Sequence, residues 1–197
     1  MISRSWKWRL SLSLFLVPLG PLITPVLASP NGLNQIPIAK VYGDGGIALE
    51  AAQSNLCGAS TTVFSTQHGL FNLYELGLDY QAAPTDQQAL LANAKVLVFH
   101  RPGNLPDMSP GIENVATGQR AVPYFVAITQ PRSTGMSLGI IRPALNGYEG
   151  MAGVPYNISS TTQIVGDTIR GWSNYTTLGI ISNITPSIQV NLAYAQY

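Results

Sequence analysis

The chain has 197 residues, of which 46% are apolar and only 10% are charged, and its formal net charge is +1. This length suits one domain with a sizeable interior, and the near-neutral balance, with no Lys/Arg cluster after the first ten residues, argues against nucleic acid as a partner. Because charge is low and Val, Ile, Leu and Tyr are spread throughout, an intrinsically disordered chain is excluded.

The first 28 residues have the organisation of a secretory signal peptide. Arg4, Lys7 and Arg9 precede an apolar stretch, and Ala28 ends a run of aliphatic and small residues that suits cleavage. A membrane anchor is the alternative, but the prolines in this stretch would interrupt a spanning helix of about 20 residues. We therefore expect export to the outer membrane, the periplasm or the extracellular space, and a single mature domain over residues 29–197.

Cys57 is the one cysteine of the chain. Exported proteins often rely on disulfides, but without a partner no intramolecular bridge can form. We predict that Cys57 is a small buried apolar residue; a reactive thiol or an intermolecular bridge is the alternative.

Alternation of polar and apolar residues recurs along the mature chain. In residues 75–82, Glu, Gly, Asp and Gln alternate with Leu, Leu, Tyr and Ala, and residues 147–157 and 188–194 repeat the pattern. A period of two predicts strands with one polar and one apolar face. Short runs of Gly, Asn, Asp, Ser and Pro separate these segments, which is typical of a meander of antiparallel hairpins.

The alternation predicts about twelve strands in an all-β, antiparallel up-and-down meander, closed as a small barrel. They cover residues 36–42, 46–52, 60–67, 74–82, 94–101, 110–116, 121–130, 136–142, 147–157, 162–170, 175–184 and 188–196. A soluble β-sandwich is the alternative. A βαβ arrangement of the first half, with helices over 46–53 and 84–94, is a further one.

These short alternating strands, with turns of a few residues and Gly on the polar face, resemble small, short-looped bacterial outer-membrane β-barrels. The resemblance is carried by residues 75–80, 93–95, 111–114 and 147–197. It implies a closed sheet with a polar lumen and aromatic side chains near the strand ends. Aromatic residues near predicted strand ends are Tyr42, Tyr74, Tyr148, Tyr156, Trp172, Tyr175, Tyr194 and Tyr197. Pro123 and Pro155 oppose closure, because each removes a ladder donor within a predicted strand.

Five acidic residues are candidates for the polar face of the strands. They are Glu75, Asp79, Glu113, Glu149 and Asp167. In a barrel they would face the lumen and favour cations over anions. In a soluble sandwich the same carboxylates would lie on the solvated face.

Few residue patterns in the sequence point to catalysis or metal binding. His68 and His100 are the only histidines and have no further ligand at metal-binding spacing. Residues 135–139, Gly-Met-Ser-Leu-Gly, match the Gly-x-Ser-x-Gly pattern, but they overlap the strand predicted over 136–142 instead of a turn between a strand and a helix, and no motif places a histidine as their base. The glycine-rich residues 43–46 lack the Lys and Ser/Thr of a phosphate loop. We therefore predict a protein that is not an enzyme and has no catalytic residue, metal or cofactor.

The expected function is that of an exported cell-envelope protein, an outer-membrane-type barrel with a structural or small-pore role. Membrane lipid is the expected partner, and no small-molecule ligand can be assigned. The main alternative is a secreted interaction or fibre-forming β-protein, in which residues 34–42 are lent to a neighbour's sheet and produce a homo-oligomer. An exported α/β enzyme is the third possibility.

Overall fold

A computed structural model describes residues 8–16, 37–56, 59–82, 89–100, 106–115, 121–129, 135–142, 147–171, 174–185 and 188–196. Within these ranges all regular secondary structure is β-strand. The strands are β1 Trp8–Leu16, β2 Ile47–Leu56, β3 Ala59–Leu70, β4 Tyr74–Ala82, β5 Ala89–Val96, β6 Asp107–Val115, β7 Val122–Ile128, β8 Ser137–Ile141, β9 Glu149–Asn157, β10 Thr162–Arg170, β11 Tyr175–Thr185 and β12 Ile188–Gln196.

Strands β2 to β12 form one antiparallel up-and-down meander, in which each strand pairs with the next along the chain. The all-β fold predicted from alternation is confirmed, and the predicted bounds of β4, β10 and β12 are those of the structure. The turn at residues 71–73 marks one end of the sheet, which we call the β3–β4 end. The opposite end is the β4–β5 end.

The meander does not close on itself, and β1 completes the ring. β1 lies between β2 and β12 and is parallel to both. Because an odd number of antiparallel strands separates the two edges, β2 and β12 run in the same direction, so they could meet only in parallel. We refer to the complete ring as the barrel. Its closing strand, Trp8–Leu16, falls within the segment that the sequence predicts to be a signal peptide.

Two predicted strands differ most from the structure. Apart from a β-bridge at Pro37, residues 37–42 are not a strand of the sheet but run inside the barrel, where backbone groups of Ile38, Ala39 and Tyr42 bond to inward side chains. The strand predicted over 94–101 is β5, Ala89–Val96, which begins earlier because it pairs with the whole of β4. After it, Phe99 makes only an isolated bridge to Met108.

The helices of the βαβ alternative are wrong where the structure describes them. Residues 47–53 belong to β2, and residues 89–94 belong to β5. The predicted helix start at 84–88 lies outside the described residues. In β5 the alternate side chains Leu91, Asn93 and Lys95 face the interior, so the segment meets a period of two rather than a helical one.

The prolines that argued against closure lie within paired strands. Pro123 in β7 is opposite Ile112 of β6, and Pro155 in β9 is opposite Val165 of β10. A residue in an antiparallel strand directs its N–H to one neighbour only, so each proline costs one ladder bond while pairing continues on either side. The carbonyl of Pro123 still accepts a bond from Arg142 N–H at 3.0 Å.

The barrel interior has a polar part and an apolar part. Inward side chains of β2 to β6 are mostly polar or charged, whereas those of β7 to β11 include an apolar cluster. The cluster consists of Val122, Tyr124, Val126, Ile128, Ile141, Met151, Val165, Ile169 and Ile181, together with Ala39 from the internal residues 37–42.

The barrel interior as the candidate functional site

The two faces of the sheet have the opposite polarity to those of a water-soluble barrel. Large apolar side chains are exposed on the outside: Leu49, Phe64, Leu76, Leu78, Tyr80, Leu90, Phe125, Leu138, Ile140, Val154, Tyr156, Ile164, Leu178, Ile180, Ile188, Leu192 and Tyr194. Polar and charged side chains are buried on the inside: Glu50, Ser65, Gln67, Glu75, Asp79, Lys95, Asp107, Ser109, Glu113, Ser137, Glu149, Asp167, Thr177 and Asn191. Among strand residues whose burial is described, Arg170 at the end of β10 is the only charged residue that is exposed.

The structure places all five predicted acidic residues on the inner face. Their exposed fractions are 4% for Glu75, 4% for Asp79, 5% for Glu113, 2% for Glu149 and 3% for Asp167. They do not form one cluster, because they are distributed over β4, β6, β9 and β10.

Two further inward carboxylates were not predicted from the sequence. Glu50 in β2 is 8% exposed and Asp107 at the start of β6 is 2% exposed. Glu50 is two residues from Ala48, so the period of two in a strand places both side chains on the same face and could have identified Glu50. Asp107 precedes the predicted start of its strand, so the pattern gave no signal for it. With these two, the described interior contains seven carboxylates and one ammonium group, that of Lys95.

Asn93 connects one carboxylate to an irregularity in the sheet. Its amide Nδ2 donates to Asp79 Oδ2, and its Oδ1 accepts from Asn114 N–H at 3.1 Å. Asn114 has a positive φ of 59°, and the register between β5 and β6 shifts beside it. The side chain thus satisfies a backbone donor that the bulge removes from the ladder.

On the far side of the barrel, Thr177 Oγ1 donates to Asp167.

A buried ion pair of the described residues lies near the β3–β4 end. Glu75 and Lys95 are direct partners across β4 and β5, and Lys95 Nζ is 3.0 Å from Glu75 Oε1. Both side chains are almost fully buried, with exposed fractions of 4% and 3%. A cavity of about 10 Å³ adjoins the pair, which is room for about one water molecule.

Residues 37–42, which we call the internal segment, are attached to this ion pair and to the next strand. Glu75 Oε2 accepts a bond from Tyr42 N–H at 3.0 Å, and Lys95 Nζ donates to Ile38 O at 3.2 Å. Ser109 Oγ in β6 donates to Ala39 O at 2.6 Å. Three inward side chains therefore hold the backbone of one segment, which bends at Ala39.

Close packing accompanies these bonds. Ala39 is 0% exposed and belongs to the apolar cluster of the interior. Where the segment leaves the interior it crosses Gly69 of β3, and a Cβ atom there would overlap the carbonyl oxygens of Tyr42 and Gly43. Gly69 N–H donates to Gly46 O at 2.8 Å, which fixes the turn that leads into β2.

A half-open pocket of about 310 Å³ lies at the same end, beside the internal segment. Its described lining residues are Lys40, Val41, Gly43, Asn72, Leu97, His100 and Asp107. His100 Nδ1 is 2.7 Å from the buried carboxylate of Asp107, which orients the ring. No Ser, Thr or Cys is among these described lining residues.

The other residues considered from sequence are distributed as follows. Tyr74, Tyr148 and Tyr156 are exposed at or beside strand ends, whereas Tyr42 is half-buried in the internal segment. His68 lies within β3 and is opposite Ile47 and Leu76. Cys57, Trp172 and Tyr197 lie outside the described residues.

No group of three or more His, Cys, Asp or Glu side chains in the described ranges is arranged to hold a metal ion. No helix long and apolar enough to cross a membrane occurs in the part of the chain that the structure describes.

Comparison of the chain with protein-family models, with curated proteins and with solved structures finds no match.

Proposed function

We propose that this chain is an exported, non-enzymatic protein that spans the outer membrane as a β-barrel, with a structural role and a small passage that favours cations. The observation that supports this most strongly is the polarity of the sheet. Its outward side chains are mostly apolar, and the charged strand side chains whose burial is described point inward, except Arg170 at the end of β10. Outward apolar side chains can contact lipid tails. Lipid tails cannot hydrogen-bond backbone N–H and C=O groups, and the closed ring of strands pairs these groups with one another.

The strand dimensions agree with this proposal. Most strands have nine residues or more. At about 3.3 Å per residue and a tilt of about 45°, nine residues rise about 21 Å, which is close to the apolar band of about 25 Å in barrels of this kind. A soluble barrel would instead present a continuous apolar surface to water, which monomeric proteins avoid.

The preference for cations follows from the charges inside. Seven carboxylates and one lysine line the described interior, and a ring of one charge sign concentrates ions of the opposite sign. Burying seven carboxylates with one ammonium group would be costly without water or counter-ions. A hydrated, cation-accessible interior relieves that cost.

The alternative function, strand lending by residues 34–42, has less support. Ala39 is fully buried in its own barrel, and three bonds hold the backbone around it. Lending the segment would require all of these contacts to be broken first. Assembly that is unchanged after deletion of residues 29–42 would exclude it.

Envelope fractionation of the expressed protein tests the proposal first, followed by far-UV circular dichroism in buffer and in detergent micelles. We expect the protein in the outer-membrane fraction and a β-spectrum only in detergent. A soluble, β-rich protein in plain buffer would contradict the proposal. In reconstituted membranes, Asp79→Lys should lower the cation preference of any conductance, whereas an unchanged preference would exclude a lumen-facing role for Asp79.

A further inference from the structure

We propose that the internal segment, residues 37–42, is a displaceable plug, and that Glu75, Lys95 and Ser109 form the site that holds it inside the barrel. The inference rests on the proposed function, because a plug matters only in a barrel that can conduct. It adds a regulated passage to that function and identifies the ligand of the inner-wall site as a peptide backbone.

The wall site recognises the main chain of the segment. Ser109 and Lys95 donate to two successive carbonyls, those of Ala39 and Ile38, and Glu75 accepts from the N–H of Tyr42. A site that binds backbone groups does not depend on the side-chain sequence of the peptide, and the side chains decide only the fit. At the centre of the segment that fit demands a small residue, because Ala39 is 0% exposed among apolar neighbours.

The site belongs to the wall and does not need the plug to form. Glu75, Lys95 and Ser109 lie on three consecutive strands, and the backbone pairing of β4 with β5 sets Glu75 opposite Lys95. The same ion pair also contributes two of the three bonds to the segment. Loss of Lys95 would therefore release the plug and leave the barrel ladder intact.

The plug is tethered, so it can leave the interior without leaving the protein. Its C-terminal end continues through the turn at residues 43–46, which is fixed to Gly69 by two backbone bonds of 3.0 and 2.8 Å. A tethered segment rebinds at a high effective concentration. Weak individual contacts are then sufficient to keep the passage closed most of the time.

The wall near the plug would supply the conducting surface. Asp79 and Glu113 are buried inward carboxylates on β4 and β6, the strands that carry Glu75 and Ser109. Displacement of the plug would admit water to these groups. An open state that prefers cations, as in the proposed function, is therefore expected.

The first test measures single-channel conductance of the full chain reconstituted in planar bilayers. Lys95→Met should raise the open probability about tenfold, because about 1.4 kcal/mol of holding free energy corresponds to that factor. Ser109→Ala should raise it less. Ser182→Ala is the matched control, because Ser182 also makes a side-chain bond, at 3.1 Å to Thr162, but outside the barrel, and it should behave as wild type.

A disulfide supplies the second test. Ala39→Cys with Ser109→Cys, in a Cys57→Ser background, should form a bond on oxidation because Ser109 Oγ contacts Ala39 O. The oxidised protein should stay closed, and reduction should open it to the level of Ser109→Ala.

The outcomes separate the two proposals. A protein that stays in the soluble fraction refutes the proposed function. A membrane-inserted protein refutes the plug if it conducts equally with the disulfide oxidised and reduced, if wild type already conducts as Lys95→Met does, or if no variant conducts.

Discussion

The ring of Tyr124 in β7 lies directly over the backbone of Gly111, its register partner in β6. A Cβ atom at residue 111 would overlap Cζ and Oη of the ring. Tyr124 is 8% exposed and belongs to the apolar cluster, while Gly111 lies between the polar Ser109 and Glu113. The pair therefore joins the polar and the apolar parts of the interior.

Gly111→Ala should lower the free energy of unfolding by about 1–3 kcal/mol, because the added methyl group overpacks a filled interior. Urea unfolding in lipid vesicles measures the change. Gly166→Ala is the matched control: it adds the same methyl group within β10, where the nearest atom is 3.9 Å away, and it should be nearly neutral. Equal costs for the two variants would contradict the close contact with Tyr124.

The Glu75–Lys95 ion pair predicts a strong coupling energy. Lys95→Met should lower the free energy of unfolding by about 3–5 kcal/mol, since a buried carboxylate then loses its cation. Lys95→Met combined with Glu75→Gln should recover much of that loss, because no buried charge remains at the pair. A double-mutant cycle by chemical denaturation measures the coupling, and additive effects of the two substitutions would show that the pair does not interact.

On the outer face, the loss of folding free energy caused by a charged substitution should depend on the depth of the residue in the bilayer. Leu78 is near the middle of β4 and is 49% exposed, whereas Tyr74 begins the same strand and is 43% exposed. Leu78→Arg should cost about 2–4 kcal/mol in a bilayer and Tyr74→Arg about 0–1 kcal/mol. Folding titrations in vesicles compare them. In a soluble protein two exposed sites would respond alike, so equal costs would argue against a membrane-spanning strand.

We predict that removal of residues 1–28 lets β2 and β12 pair with each other. Leu10 of β1 is the register partner of both Leu49 in β2 and Ile188 in β12, so these two lie at one level on opposite sides of β1. Their separation of about two strand spacings, near 9.6 Å, exceeds the reach of a disulfide. After cleavage, β2 and β12 should pair in parallel and bring the two positions within reach.

Cysteine cross-linking measures this closure. Leu49→Cys with Ile188→Cys, in a Cys57→Ser background, should cross-link in residues 29–197 and not in the full chain. Mass spectrometry of the exported protein establishes which form is present in the cell. Cross-linking of the full chain would show that β1 does not occupy the seam, and failure in the shorter chain would show that the two edges stay apart.

Local pattern alone determined much of this fold. Residues 74–82, 162–170 and 188–196 alternate strictly enough that their strand bounds are those of the structure. The same period of two placed Glu75, Asp79, Glu113, Glu149 and Asp167 on one face of their strands. This succeeds because alternation in a strand is a property of neighbouring residues and needs no distant contact.

The tertiary structure decided which face is enclosed, how the sheet closes and what fills it. A period of two defines two faces but does not say which one points inward, since that depends on the curvature of the whole sheet. The sequence predicts a strand over residues 36–42, yet Lys95 and Ser109, far along the chain, bind carbonyls of this segment inside the barrel. The parallel pairing of β1 with β2 and β12 likewise depends on the number of strands between β2 and β12. That number is a property of the whole sheet and cannot be inferred from any one segment.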